Sequence, residues 1–345
     1  MPREFLPAYA LPQDHVALQR AAIDFLLGLG QPPVGFGYLA EVSDPLTRVD
    51  LLAQALATGN KDYARAGERR QGGLPQLYRS KAFNEALAGR QRQMAALGLL
   101  PTLPDLAVLP AGSFGLHFTF TLRTPYISKD DASLHILDNP VRKDKVFGLP
   151  MVASTGWKGA LRAALRQIND WNDEHPDLQR LFGHARDDET GPAGRLFFYS
   201  TFFTRFGLEV INPHDRQSNA GKQPIYFESV PPGAEGDFIL LYVPFDRVGE
   251  DERETQRQAA DDLMRAVAGI ETMLTRTGFG AKTSSGFGLA ELAGDGQLVV
   301  HDRTQLAERK AVTAASLPPI IRSFASFAAL PEIIATLPWL KEQAL

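Results

Sequence analysis

The chain has no cysteine, which excludes disulfides, thiolate metal sites and cysteine nucleophiles. No apolar run approaches the length of a membrane span. Its opening residues, Met1-Pro2-Arg3-Glu4-Phe5, lack the apolar core of a secretion signal. Both absences point to the cytoplasm and away from a membrane partner. Positive charge is not in excess either. The net charge is −4 over 345 residues, so no global field draws in nucleic acid, and any such binding must use local patches. The nucleotide-cofactor fingerprints are also missing. Ala281 stands where a P-loop needs the glycine before its lysine, and Thr283 stands where a dinucleotide fingerprint needs its third glycine.

Those last two positions belong to the most distinctive stretch of the chain, Gly278-Phe279-Gly280-Ala281-Lys282-Thr283-Ser284-Ser285-Gly286-Phe287-Gly288. Glycine pairs at both ends admit positive φ and close approach to another surface. Lys282, Thr283, Ser284 and the backbone N–H groups between them form an anion-binding set. The stretch therefore suits a phosphate backbone, and a plain flexible hairpin is the alternative.

Length and hydrophobic patterning divide the chain into three. Residues 1–110 read as helical, with Asp14 and Ser43-Asp44-Pro45 as helix starts. Eight basic residues between Lys61 and Arg92 face three acidic ones, which reads as a solvated helical face or an RNA-facing surface. Residues 111–300 form an α+β core. Phe114, Leu116, Phe118, Phe120 and Leu122 alternate with polar or small residues as in a half-buried strand. A helix from about Thr155 carries Trp157, Leu161, Leu165 and Ile168 on an apolar face. Buried strands follow at 196–199 and 238–243, then a long helix at about 253–275, the glycine-rich loop, and a strand over 287–292. That order suits a ferredoxin-like sandwich with helices on one sheet face. Residues 301–345 read as a C-terminal helical extension.

Local charge marks one face. Arg142, Lys143, Lys145, Lys158, Arg162 and Arg166 are opposed over that span only by Asp144, which concentrates positive charge beside a helix start at Ser154-Thr155. Asp138, just ahead of this run, could hold a divalent cation or position a water against a phosphodiester. An Asx turn before Asn139-Pro140 explains the same residue without chemistry. His135 is a further candidate acid or base. Asn212-Pro213-His214-Asp215-Arg216 mixes polar types but lacks the helical histidine spacing of a zinc site.

At this point Leu149-Pro150-Met151-Val152-Ala153-Ser154-Thr155-Gly156-Trp157-Lys158-Gly159-Ala160-Leu161-Arg162 resembles the helix start of the RAMP superfamily, the RNA-binding proteins of CRISPR effector complexes. The loop at 278–288 resembles that superfamily's glycine-rich signature, and the likeness covers about residues 114–294. It implies an RRM-like RAMP core flanked by the two helical extensions. It also implies a subunit of a type III effector complex in antiviral defence, bound to guide RNA, target RNA and other effector subunits. The RNA-binding residues would be Arg142, Lys143, Lys145, Ser154, Thr155, Lys158, Arg162, Gly278, Gly280, Lys282, Thr283, Ser284, Gly286 and Gly288.

Asp138-Asn139-Pro140 resembles the segment that cleaves target RNA in repeating backbone subunits, whereas Asn212-Pro213-His214 with Pro224-Ile225-Tyr226-Phe227 resembles the capping subunit. The resemblance implies no tightly bound cofactor, and Mg²⁺ or Mn²⁺ at Asp138 if the chain cleaves as a metal-dependent endoribonuclease. Two other functions stand beside this one: a stand-alone endoribonuclease maturing guide RNA through His135 or His117 with Lys158, and a phosphate-binding small-molecule enzyme.

Overall fold

A computed structural model describes residues 16–33, 42–55, 61–68, 71–130, 135–184, 192–212, 224–300 and 319–339. Five helices come first: α1 (Val16–Leu26), α2 (Pro45–Ala55), α3 (Lys61–Ala66), α4 (Gly73–Arg79) and α5 (Lys81–Ala96). Then come β1 (Phe114–Leu122), β2 (Met151–Val152), α6 (Ser154–Asn169), α7 (Pro176–Phe182), β3 (Leu196–Phe198), β4 (Thr201–Phe202), β5 (Gly207–Ile211), β6 (Ile225–Ser229) and β7 (Glu235–Tyr242). The chain continues through α8 (Glu252–Thr272), β8 (Ala290–Leu292), β9 (Gly296–Val300), β10 (Ile320–Phe324) and α9 (Leu330–Ala335).

The chain folds as two compact units, neither contiguous in sequence. One comprises residues 1–99, 127–151 and 203–231, and the other residues 100–126, 152–202 and 232–345.

The second unit holds an antiparallel sheet in the order β10-β9-β1-β7-β3, with β8 also paired to β1. Taken along the chain, β1-α6-β3-β7-α8-β9 is the βαββαβ sequence of a ferredoxin-like fold. The alternation read in 114–122 sets the register: Phe114 faces Tyr242, and Phe118 faces Phe238, with Leu116 opposite Leu240 between them. Their rings stack, at 4.6 Å for Phe114–Tyr242 and 5.0 Å for Phe118–Phe238. Trp157 of α6 is fully buried against this layer, edge-on to Phe120 and Phe238, and its Nε1 donates to Thr201 Oγ1 at 3.0 Å. The indole is therefore a core side chain with its one donor satisfied. Gly269 brings α8 close to α6, because a Cβ there would sit 2.8 Å from Leu161 and Leu165.

Two expectations need correction. Ile168, assigned to the apolar face of α6, is 40% exposed; it falls in the last turn, just before Asp170 ends the helix in the left-handed region. Residues 320–324, read as part of a helical extension, form the strand β10 on the edge of the sheet beside β9. Phe324 then packs against Phe118 and Phe327. A five-residue strand at an edge buries too little to impose a clear alternation, so tertiary pairing decides it.

The first unit packs α1 to α5 with the segment 127–151 and the antiparallel hairpin β5–β6. Asp44 caps α2, accepting from the Thr47 N–H at 2.8 Å and the Thr47 hydroxyl at 2.7 Å, as the Asp-Pro start suggested. Asp14, Arg69, Arg70 and most of the polar segment from 212 onward lie outside the described residues.

Candidate nucleic-acid interface

In the sheet-bearing unit, the start of α6 and the glycine-rich loop form the two walls of one groove, with a volume of about 760 Å³. Thr155, Gly156, Gly159, Ala160 and Ala163 line the helix side; the facing side runs from Arg276 to Gly280 and includes Thr283 and Ser284. The helix wall is smooth because small residues occupy the positions that turn away from Trp157, Leu161 and Leu165. Ala153 caps the helix without a side-chain hydrogen bond; the Gly156 N–H donates to the Ala153 carbonyl at 2.8 Å, which leaves the Ser154 and Thr155 N–H groups without intrahelical acceptors.

Sequence alone explains the loop's shape. Gly278, Gly280, Gly286 and Gly288 have φ of 75°, 91°, 82° and 73°, and Lys282 also lies in the left-handed region at 57°. The loop closes on itself where the Phe279 N–H donates to the Gly288 carbonyl at 3.0 Å, and the Gly288 N–H donates to Pro125 at 2.9 Å. Phe279, 1% exposed, plugs into Trp157, Tyr126 and Phe120, with centroids at 4.5, 5.5 and 5.8 Å. This anchor leaves Lys282, Ser284, Ser285 and Gly286 exposed at the tip.

Not every residue named from sequence faces this groove. Thr155, Gly278, Gly280, Thr283 and Ser284 line it, but Lys158 and Arg162 do not. Arg162 and Arg166 instead share Asp173, at 3.2 and 3.3 Å. Burial, and then the neighbouring Arg162 charge, lower the Lys158 pKa. Arg276 and Gln167, which the sequence reading passed over, are in the lining. The signal for Arg276 was available: it sits two residues ahead of the first loop glycine.

The other unit holds Asp138, His135, Arg142, Lys143 and Lys145. Asp138 is exposed, and its Oδ1 accepts from Arg65 Nη2 at 2.6 Å and Lys61 Nζ at 3.2 Å. Arg65 also donates through Nε to the Ile136 carbonyl at 3.0 Å. With its side chain only 13% exposed, Arg65 departs from the solvated face expected over 61–92. On the far side of this loop, buried Glu228 accepts from the Val141 N–H at 3.1 Å, Lys143 Nζ at 2.6 Å and the Tyr78 hydroxyl at 2.5 Å. Burial, with the Glu228 charge beside it, drives the Tyr78 pKa well above the usual phenol range. The Glu228 N–H donates to the Asn139 carbonyl at 2.9 Å. Lys143 therefore spends its amine on Glu228 and lies over the Phe206 ring, while Arg142 and Lys145 are exposed. His135 is half-buried.

Among the described residues, no group of three or more His, Asp or Glu side chains could hold a metal ion. A single carboxylate whose Oδ1 already serves two cations does not fit a resident divalent ion. His117 projects from the face of β1 opposite to α6, with Nε2 3.9 Å from Asp237 Oδ1. No described helix is long and apolar enough to cross a membrane.

Comparison with known proteins adds a sequence relative. The CRISPR system Cms endoribonuclease Csm3 of Mycobacterium tuberculosis (strain ATCC 25618 / H37Rv) is 28% identical over 185 residues, covering 46% of this chain and 75% of the relative. Among solved structures, a chain of the type III-B Cmr-beta complex bound to cognate target RNA is 18% identical. It covers 79% of this chain and 97% of that one at a TM-score of 0.44. A chain of the Csm3–Csm4 subcomplex of the type III-A interference complex is 14% identical over 65% of this chain and 96% of that one, at a TM-score of 0.38. Residues 114–291, just over half of the chain and the stretch that carries both walls of the groove, match the RAMP superfamily, and the chain belongs to that family.

Proposed function

We propose that this chain is an RNA-binding subunit of a type III CRISPR effector complex, acting in antiviral defence in the cytoplasm with guide RNA, target RNA and other effector subunits as partners. It holds the guide backbone without reading its sequence, through sugar and phosphate contacts. One observation carries this reading: the two motifs that resembled the superfamily, far apart in the chain, face each other across a single groove. Family membership and the Csm3 relative support it. The test is ultraviolet cross-linking of the native assembly, followed by mass spectrometry of RNA–peptide adducts. Adducts are expected within 154–163 and 276–286; adducts confined to other peptides would refute the groove as the RNA site.

A second reading, cleavage of target RNA at Asp138, is favoured by the way its loop is held. Arg65 fixes one flank and Glu228 the other, while the Asp138 side chain, paired through Oδ1 with Arg65 and Lys61, remains 61% exposed. Such pre-organisation suits a group that must meet a substrate in one geometry. Asp138 would position the attacking ribose 2′-hydroxyl. The assembled complex carrying Asp138→Asn should bind target RNA normally and leave it intact. Full-rate cutting by that variant would reduce Asp138 to a structural residue. Guide maturation through His117 has less support, because His117 and Lys158 lie on opposite sides of the sheet.

A further inference from the structure

The basic stripe of α6 places no side chain in the lining of the groove. Arg162 and Arg166 are tied to Asp173, and Lys158 lies outside the lining. Of the residues that do line it, Arg276 carries the one ionised side chain, and there is no carboxylate beside it. Arg276 is exposed, and among the described residues no acidic group pairs with it. The rest of the polar lining is neutral, chiefly Thr155, Gln167, Thr283 and Ser284.

Backbone geometry holds this arginine in place. At Met273–Thr277 helix α8 widens into a π-helical turn, so that the Gly278 N–H reaches back five residues to the Met273 carbonyl at 2.9 Å. The extra residue rotates the chain beyond it by about a quarter of a turn relative to a continued α-helix. Thr275 and Thr277 on either side of Arg276 donate their hydroxyls to the Glu271 and Thr272 carbonyls, at 2.7 and 3.4 Å. Just beyond, Gly278 turns at positive φ and Phe279 locks into the core. The segment is thus fixed at both ends, with an unpaired guanidinium between.

We infer that Arg276 is the phosphate ligand of this groove and that it, not Lys158 or Arg162, carries the salt-dependent part of RNA binding there. The assignment rests on the groove being an RNA site. A guanidinium presents paired N–H donors that match a phosphodiester's two free oxygens. The open N–H groups at the start of α6 add partial positive charge on the facing wall. One phosphate is then neutralised in this groove, and its remaining contacts are neutral hydrogen bonds.

The experiment titrates the full-length chain with a fluorescent single-stranded RNA of mixed sequence, by anisotropy, across a series of salt concentrations. The proteins compared are wild type, Arg276→Gln, Arg276→Lys, and the double variant Lys158→Ala/Arg162→Ala. Arg276→Gln should bind about tenfold more weakly at low salt. Its log–log salt slope should be shallower than wild type by about 0.7, the value for one phosphate contact on a single strand. Arg276→Lys should restore the slope but only part of the affinity, since an ammonium lacks the fork. The double variant should keep the wild-type slope. A wild-type slope in Arg276→Gln, or a slope lost in the double variant instead, would overturn the assignment while leaving the groove an RNA site. A wild-type chain that holds no RNA removes the RNA reading itself, and the assignment with it.

Discussion

Two glycines in the same loop should respond very differently to alanine. Gly286 and Gly288 both have positive φ, at 82° and 73°, so each Gly→Ala change carries the left-handed penalty of about 1 kcal/mol. There the likeness ends. A Cβ on Gly286 meets nothing within 4 Å, whereas one on Gly288 runs into the Phe279 backbone, 2.9 Å from its carbonyl carbon and closer still to its oxygen. Backbone cannot step aside as a side-chain tip can. Relief requires breaking the Phe279–Gly288 hydrogen bond, which lets Phe279 leave the pocket formed by Trp157, Phe120 and Tyr126. Losing a buried phenylalanine's packing costs about 3–5 kcal/mol. Gly288→Ala should therefore lose several kcal/mol and, with its wall displaced, most RNA affinity. Gly286→Ala should lose about 1 kcal/mol and keep most of its binding. Urea unfolding followed by tryptophan fluorescence, paired with RNA anisotropy below each transition, reads both quantities. Equal losses in the two variants would show that the loop is not anchored at Phe279.

Three other substitutions probe the frames of the two units, one in the sheet-bearing unit and two in the other. Asp262, fully buried, accepts from Arg180 at 2.7 Å and from the Tyr242 hydroxyl at 2.8 Å. Asp262→Ala should cost about 2–3 kcal/mol by removing a buried charged acceptor shared by Arg180 and Tyr242, while Arg180 keeps Asp177 and Arg195 keeps Asp246; a loss below about 1 kcal/mol in chemical denaturation would contradict this. At Asp44, burial opposes ionisation, but the Thr47 hydroxyl and N–H, with Arg90, outweigh it and hold the carboxyl below its usual range. The resulting stabilisation is in full force above the unfolded-state value of about 4 and is lost as pH falls through the lower folded-state value. Asp44→Asn should accordingly flatten the acid limb of the stability–pH curve, and an unaltered limb would count against the pairing. Glu228→Gln should weaken the hold on residues 139–143. The expected sign is faster hydrogen exchange at the Val141 amide, with unchanged exchange meaning that the carboxylate is not the clamp.

Much of the sheet-bearing unit was legible because its signals are local. The alternation in 114–122 gave β1 with its ends, and the stripe of Trp157, Leu161 and Leu165 gave α6 up to its last turn. Positive-φ glycines at 278–288 announced a loop that folds tightly on itself, although sequence could not say that Phe279 would be its anchor. What escaped depends on contacts between distant residues. Lys158 and Arg162 looked like the cations of the site because they stand in its first turns; a helix rotates by about 100° per residue, and Asp173 captures Arg162 on another face. Lys143 looked free until Glu228 met it across 85 residues of chain. Arg65 joined the wrong set for the same reason, since its partner Asp138 lies 73 residues away. Charge density in a sequence counts cations, but it cannot subtract those that already have partners.

The discontinuity of the two units bears on how this chain can be made and cut. The polypeptide passes from one unit to the other five times by residue 232. The unit begun by α1 to α5 cannot be completed until residues 203–231 have left the ribosome. Its first hundred residues must wait with apolar side chains such as Ile23, Leu52 and Leu87, all buried in the finished unit, still open to misassociation. Contacts of such long sequence separation also slow folding. No single truncation yields either unit whole: a fragment starting at residue 111 keeps the sheet but orphans two segments that belong with the missing helices. A chain built this way should be expressed intact, or with those two segments replaced by short linkers in a sheet-only form.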